Sequence, residues 1–375
     1  MRHDAPMPSS QVLTPRALNR ASLQRQGLLR RSAGSTTDMI ERLVGLQAQT
    51  PHTAYVGLWA RLERFDPEHL SDLLVRRAVV RIALMRGTIH LVTARDAVDL
   101  RPLVQSVFDR AYRSQFGRRL TDVDMTELVD LGRAYVEAEP RTFKALGDRL
   151  LGRWPGRDRM ALEQGVRAGV PLVQVPPRGL WGRSGPIAHT SIEAWLGPDR
   201  PSPAMSVDTM VLRYLAAFGP AGVMDAQAWC GLTRLREVFD RLRPRLAVFT
   251  DTGGRELFDL PDSPRPDADT PAPPRFLYDY ENLLLSYADR TRVIPPGTDA
   301  RSWARDNQPV STYLIDGEVS GAWQVLRADG SARLVLRPAR SIPKDQMTAL
   351  EEEGRSLLAF LAPDATRQAL EIVRG

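Results

Sequence analysis

The chain has 375 residues, of which 43% are hydrophobic and 26% are charged. This composition is typical of a folded globular protein, and the length is enough for two or three average domains. No long uninterrupted apolar run occurs, so no membrane span is predicted, and the N-terminus lacks the pattern of a signal peptide. A single cysteine, Cys230, excludes a disulfide within the chain and favours a cytoplasmic protein.

The positive charge is concentrated at the start of the chain. Residues 1–120 contain 19 arginines and 10 acidic residues, a net charge of +9, whereas the whole chain carries only +6. A genome rich in G and C would raise the arginine content, but it would not select one third of a chain. The distribution therefore favours an anionic partner for this region, with nucleic acid as the first candidate.

Residues 1–13 show no helix or strand pattern and are predicted to form a disordered tail. A first winged helix-turn-helix module is predicted over residues 14–122. Its helices begin at Thr14-Pro15, where a capping residue precedes a proline. The β-branched run at residues 78–84, the Gly87 turn and the strand at 88–92 predict a closing β-hairpin.

The same order of helices followed by a hairpin recurs twice, predicting a second module over residues 123–204 and a third over residues 205–262. A Pro- and Asp-rich linker follows. Residues 275–375 are predicted to form a strand-rich segment with a final helix, and its hairpins turn at Asp-Gly pairs. The predicted fold is α+β and mostly helical, with three tandem winged helices and a mixed, β-rich C-terminal segment.

Most familiar catalytic and cofactor motifs are absent from the sequence. The five histidines are scattered without a second ligand at helical spacing, so no metal site is predicted. Neither a glycine-rich phosphate loop nor a Gly-x-Ser-x-Gly elbow is found, and no cofactor is expected.

One polar cluster, Gln47-Ala48-Gln49, stands where the second helix is predicted to end. Pro51 disfavours helical angles at the residue before it, so the backbone is expected to be extended near Gln49. On an extended chain, residues i and i+2 share a face, which would present both carboxamides to one cleft. Taken alone, two glutamines at a helix end are ordinarily surface or capping residues.

The chain resembles the winged-helix DNA glycosylases of the AlkZ and YcaQ type. The resemblance runs from about Thr14 to the C-terminus and rests on several segments. They are residues 45–49, 85–91 and 282–290, together with the strand pair formed by residues 315–317 and 321–323. The sequence departs from the family pattern at residues 280–282 and at Tyr287.

The resemblance implies three tandem winged helices around a basic concave cleft for duplex DNA. It also implies that Gln47 and Gln49 are the catalytic pair, in the Gln-apolar-Gln form of the AlkZ branch. That branch excises N7-alkylpurine adducts and unhooks interstrand crosslinks made by the producer's own genotoxin, a base excision repair activity that gives antibiotic self-resistance. The expected partner is therefore double-stranded DNA carrying alkylated purines, and the expected enzyme is a monofunctional glycosylase without a cofactor.

Glutamine is a poor general base near neutral pH, so this pair suits a base that leaves readily. An N7-alkylated guanine is already cationic, and we expect the two carboxamide oxygens to orient the attacking water. Contacts to DNA are expected from arginines and from side chains in two turns; the alternatives are that each arginine is a solvated surface charge and that the turn at 176–186 is packed. These predicted DNA-binding residues are Arg81, Arg86, Arg178, Trp181, Arg183 and Arg327.

The alternative function is a non-enzymatic transcriptional regulator built from winged helices. It explains the charge and the repeated modules equally well, but it gives no role to paired glutamines. Such regulators usually bind as symmetric dimers, whereas three internal modules would allow this chain to act as a monomer.

Overall fold

The computed structural model of the protein describes residues 11–298 and 310–373. The predicted tail at residues 1–10 therefore lies outside the described residues. The first helix shows how the sequence sets its own start, because Thr14 Oγ1 accepts a hydrogen bond from the Ala17 N–H at 3.1 Å and Pro15 occupies the first helical position.

The first part of the chain contains mainly helices, and it holds one antiparallel hairpin. Its elements are β1 (Val12–Leu13), α1 (Pro15–Arg25), α2 (Thr36–Arg42), β2 (Leu46–Gln47), α3 (Thr53–Trp59), α4 (Pro67–Val75), β3 (Val79–Ala83), β4 (Ile89–Thr93), α5 (Ala94–Leu103) and α6 (Gln105–Gln115). Strands β3 and β4 pair antiparallel, which confirms the hairpin predicted in this region.

Two further groups of helices follow, and each also leads to an antiparallel pair of strands. The second group comprises α7 (Met125–Ala138), β5 (Arg141–Thr142), α8 (Phe143–Arg153), α9 (Arg159–Gly169), β6 (Leu172–Gln174), β7 (Ala188–Ser191) and α10 (Ile192–Leu196). The third comprises α11 (Val207–Phe218), α12 (Val223–Cys230), α13 (Arg236–Leu242), β8 (Ala247–Asp251) and β9 (Glu256–Asp259). The predicted hairpins thus occur in both groups.

The first two hairpins belong to a single sheet of six strands in the order β2-β4-β3-β6-β7-β5. They meet where β3 pairs antiparallel with β6, with Ile82 opposite Val173. The first and second helical groups therefore share a continuous hydrogen-bonded sheet.

The predicted disordered tail is wrong at its C-terminal end. Val12 and Leu13 form β1, which pairs parallel with β8 and completes a sheet in the order β1-β8-β9. Leu13 is buried beside Leu18, Phe249 and Leu257. Burial of this apolar side chain stabilises the strand, which local sequence patterns do not reveal.

The C-terminal part forms a five-stranded sheet in the order β10-β11-β12-β13-β14. Its elements are β10 (Arg275–Phe276), α14 (Asn282–Leu285), β11 (Ser311–Ile315), β12 (Glu318–Ala328), β13 (Ser331–Pro338), α15 (Lys344–Leu361) and β14 (Arg367–Ile372). The turns at Asp316-Gly317 and Asp329-Gly330 have positive φ at both residues, as such hairpin turns require. The predicted helix α15 packs on this sheet, but it is not the final element, because β14 follows and pairs parallel with β13.

The largest hydrophobic core lies between the β3–β4 hairpin and α11. It buries Val80 and Ile82 of β3 together with Tyr214 and Phe218 of α11, and it extends to Tyr287 in the C-terminal part. Apolar side chains of the hairpin therefore share one core with α11 and with the C-terminal part. Over the described ranges, none of the helices combines the length and the apolar character needed to cross a bilayer.

Candidate active site

The segment that carries the two glutamines is a short strand held tightly against β4. In β2, Leu46 lies opposite Leu91 and Gln47 lies opposite His90. The turn before it uses Gly45 at a φ of 89°, and a Cβ atom there would lie 2.4 Å from a methyl carbon of Val92. Only glycine permits both the backbone angle and this close approach. The backbone is extended at Leu46–Gln47, whereas it bends at Gln49, where the extended conformation was predicted.

Gln47 is almost completely buried, with 3% of its surface exposed. Its Oε1 accepts a hydrogen bond of 2.6 Å from Nη2 of Arg86, and Arg86 also donates through Nη1 to the carbonyl of Trp229. Burial lowers the pKa of Arg86 to about 10, so the guanidinium stays positively charged at neutral pH. The carboxamide of Gln47 is therefore held by a fixed cation.

Gln49 is exposed, in contrast to Gln47. Its Oε1 accepts a hydrogen bond of 3.2 Å from the backbone N–H of Ile89, the first residue of β4. Arg86 lies within the turn between β3 and β4, and Ile89 directly follows that turn, so both carboxamides are anchored to the same hairpin turn. The structure thus brings the two predicted residues together, although with different exposure.

Asn282 ties the strand of Gln47 to the C-terminal part of the chain. Its Oδ1 accepts from the Gln47 N–H at 3.2 Å, and its Nδ2 donates to the Gly45 carbonyl at 2.7 Å. The residue before it, Glu281, forms a completely buried ion pair with Arg61 at 2.6 Å. The segment 279–282 therefore positions the glutamine strand, a role that local sequence patterns did not indicate.

Asp279 is a second functional candidate that sequence reasoning missed. It is 3% exposed, its Oδ2 accepts a hydrogen bond from the Thr50 hydroxyl, and its Oδ1 has no hydrogen-bond partner among the described residues. Burial raises the pKa of this carboxyl group. The available signal was its position directly before residues 280–282, where the sequence departs from the family pattern. The contact fixes the chain immediately after Gln49.

His90 lies beside Gln47 in the sheet and is neutral at neutral pH. Burial lowers its pKa to about 3, and the nearby Arg86 cation acts in the same direction. Its Nδ1 lies 2.9 Å from the Thr88 carbonyl, which can only accept, so Nδ1 carries the proton. His90 is therefore a structural donor within the hairpin.

Two of the arginines predicted to contact DNA have partners within the protein. Arg81 is 2% exposed and donates to the Ala48 carbonyl at 2.7 Å, so the prediction of a phosphate contact is wrong. Its guanidinium supports the backbone between the two glutamines. Arg86 is only partly buried and donates to Gln47 and to the Trp229 carbonyl, and its contact with DNA stays a prediction.

The turn at residues 176–186 is packed against the protein. The Trp181 ring centroid lies 5.0 Å from that of Tyr55 and 5.0 Å from that of Phe360, which stacks on it, so the turn is packed in this structure. Arg178 is half-buried and donates to the Gly185 carbonyl at 3.3 Å within the same turn. The roles of both residues in DNA binding stay predictions.

Two predicted DNA-binding residues remain at the surface. Arg183 is exposed in the same turn, and Arg327 is exposed at the end of β12, next to the β12–β13 turn. Arg327 also donates to the Leu361 carbonyl. Their roles in binding remain predictions. In residues 11–298 and 310–373, no group of three or more His, Cys, Asp or Glu side chains is arranged to hold a metal ion.

The sequence matches the family model of AlkZ-like DNA glycosylases over residues 40–360. The chain belongs to this family. The matched region of the AlkZ-like chain includes Gln47, Gln49 and Asn282, so the site assembled above lies within it. A characterised relative from Streptomyces sahachiroi, the interstrand DNA cross-link repair glycosylase, is 25% identical over 353 residues, covering 88% of this chain and 92% of the relative.

A solved structure shows the same fold. The DNA glycosylase AlkZ of Streptomyces sahachiroi superimposes with a TM-score of 0.75, covering 97% of this chain and 100% of that one at 21% sequence identity. The AlkZ-like architecture therefore extends over almost the whole chain.

Proposed function

We propose that this chain is a monofunctional DNA glycosylase that hydrolyses the N-glycosidic bond of N7-alkylated purines in duplex DNA. The observation that carries the proposal is the anchoring of Gln47 and Gln49 on one hairpin turn in a member of a DNA glycosylase family. The three helical groups with their hairpins would act as winged helices that hold the duplex. A single chain would be sufficient.

The chemistry of the site suits a substrate with a good leaving group. A carboxamide cannot remove a proton from water at neutral pH, so this pair gives little help to the departure of an ordinary neutral base. In an N7-alkylguanine, the purine is already cationic. The C1′–N9 bond breaks with its electron pair on N9, water forms the new C1′–O bond, and the proton of that water passes to solvent.

Bulky adducts and interstrand crosslinks belong to the same substrate class. The Streptomyces sahachiroi relative is named for cross-link repair, and a crosslink through N7 leaves a cationic purine that the same step would release. We extend this activity to the present chain, with self-resistance to a genotoxin as its biological role. The chain contains only two lysines, Lys144 and Lys344, and neither lies in the glutamine segment, so hydrolysis is favoured over an amine-dependent lyase reaction.

The experiment uses duplex oligonucleotides with one N7-methylguanine, incubated with the protein and then treated with alkali to cleave abasic sites. We expect cleavage above the spontaneous rate with the wild type and none above it with the Gln47→Ala, Gln49→Ala double variant. Tight binding without cleavage would contradict the proposal and favour a DNA-binding regulator. Cleavage that survives the double substitution would show that the site lies elsewhere.

A further inference from the structure

We propose that Gln47 and Gln49 act through their amide Nε2 groups, as hydrogen-bond donors to acceptor atoms of the departing purine. This inference rests on the proposed glycosylase function and specifies the chemistry of its site. It reverses the role expected from the sequence, in which the carboxamide oxygens would accept hydrogen bonds from the attacking water.

The orientation of Gln47 follows from the chemistry of its partner. An arginine guanidinium has five N–H donors and no acceptor, so the atom that meets Arg86 Nη2 at 2.6 Å must be the carboxamide oxygen. Rotating the amide by 180° would place an NH₂ group against a cation. Arg86 is held in this position because its guanidinium also donates to the Trp229 carbonyl.

The orientation of Gln49 is fixed by the same argument. A backbone N–H can only donate, so the atom that meets the Ile89 N–H at 3.2 Å must again be oxygen. Ile89 is itself held in place, because β4 pairs with β3 on one side and with β2, the strand of Gln47, on the other. Both carboxamide oxygens are thus directed into the hairpin.

The two NH₂ groups remain available for a ligand. Among the residues that the structure describes, neither Gln47 Nε2 nor Gln49 Nε2 has a hydrogen-bond acceptor; Gln47 Nε2 is not a completely buried atom without a partner, and Gln49 is an exposed residue. The site therefore offers two donors at the hairpin turn, where the sequence had suggested two acceptors.

Two donors match the change in charge during the reaction. The purine begins as a cation and leaves as a neutral base, because it keeps the electron pair of the C1′–N9 bond. Its acceptor atoms, such as N3 and O6, become stronger hydrogen-bond acceptors as the bond breaks. Donors held in place at these atoms bind the transition state better than the ground state, which is the requirement for catalysis. No proton moves between the amides and the purine.

The test compares Gln49→Glu with Gln49→Ala in single-turnover excision of N7-methylguanine at saturating enzyme. The carboxylate keeps the shape of the side chain and the acceptor for the Ile89 N–H, but it loses the NH₂ donor. We expect both variants to lose at least about tenfold in rate, and Gln47→Glu to behave in the same way. A Gln49→Glu rate equal to or above that of the wild type would overturn the proposal.

The pH dependence provides a second readout that a merely structural role would not produce. The glutamate carboxyl has an ordinary pKa of about 4.3 and becomes an O–H donor when protonated. The Gln49→Glu rate, divided by the wild-type rate, should therefore rise as the pH is lowered from 7 to 5. A ratio that falls instead would indicate that the carboxylate acts as an acceptor or base, which contradicts the proposal.

Two controls separate this result from other failures. Gln115→Glu places the same charge on an exposed residue of α6 and should keep the wild-type rate, so a loss there would assign the effect to charge repulsion from DNA and overturn the argument. Full activity of Gln49→Ala would also overturn it. No excision by the wild type would instead contradict the proposed function itself.

Discussion

At the scale of single residues, the sequence identified the glutamine pair but not its orientation. The partners of the two oxygens, Arg86 and Ile89, lie about 40 residues further along the chain, and their positions depend on the pairing of β2 with β4. The predicted phosphate contact of Arg81 is wrong for a related reason. A guanidinium with five donors can satisfy buried carbonyl groups, and no local pattern distinguishes that use from a surface charge.

The buried histidines lead to a prediction about pH. Burial lowers the pKa of His90 to about 3 and that of His189 to about 4, below the ordinary value of about 6.5 for the unfolded chain. Below pH 6.5, the unfolded chain therefore binds protons that the folded protein does not. We expect the free energy of unfolding to fall as the pH drops from 6.5 toward 4, by about 1.4 kcal/mol per pH unit for each histidine.

Chemical denaturation at pH 7.5, 6 and 5 measures this effect. His189, whose ring lies 4.5 Å from that of Phe143 and away from the glutamine strand in the sheet, offers the matched variant. In His189→Leu, the fall in the free energy of unfolding between pH 6 and pH 5 should be smaller than in the wild type, by about 1 kcal/mol. An unchanged slope would show that the histidines are not the groups responsible.

At the scale of elements, the segment 279–282 is held by the buried ion pair between Arg61 and Glu281. Arg61 also donates to the Gly57 carbonyl at 2.9 Å, and Glu281 accepts from the Leu283 N–H at 3.0 Å. The pair therefore fixes α3 against the segment that carries Asn282. Because Asn282 binds the backbone of Gln47, this ion pair stabilises the geometry of the candidate site.

Removing one partner of this ion pair should lower the free energy of unfolding more than removing both charges. Arg61→Met leaves a buried carboxylate without its cation, and we expect a loss of about 3–5 kcal/mol in the free energy of unfolding. The double variant Arg61→Met, Glu281→Gln keeps an acceptor for the Leu283 N–H and should be more stable than the single variant. Denaturant titration of the three proteins checks this order, and a double variant less stable than Arg61→Met would contradict it.

The sequence predicted those elements that have clear local patterns. Alternating and β-branched residues predicted β3 and β4, and Asp-Gly pairs predicted the turns between β11, β12 and β13. The shortest described strands, β1, β2, β5 and β10, have two residues each, too few to show a period. The pairing of β3 with β6 joins strands about 90 residues apart, so only the folded chain reveals it.

At the scale of the whole molecule, arginines of the basic N-terminal third also form ion pairs within the protein. In the described part of the chain, six of its arginines form ion pairs with acidic residues beyond residue 120: Arg16 and Arg20 with Asp316, Arg25 with Asp259, Arg31 with Glu353, Arg61 with Glu281 and Arg119 with Asp158. The net charge of +9 therefore overstates the charge available to DNA. Part of the basic excess joins the N-terminal third to the rest of the protein.

The central claim is that this AlkZ-like chain releases alkylated purines through Gln47 and Gln49. The most direct measurement identifies the free base by mass spectrometry after incubation with a duplex that contains N7-methylguanine. We predict free 7-methylguanine and an intact abasic strand with the wild type, and release at the spontaneous rate with the Gln47→Ala, Gln49→Ala double variant. Wild-type protein that is folded and bound to the duplex, yet releases no base above the spontaneous rate, would contradict the account.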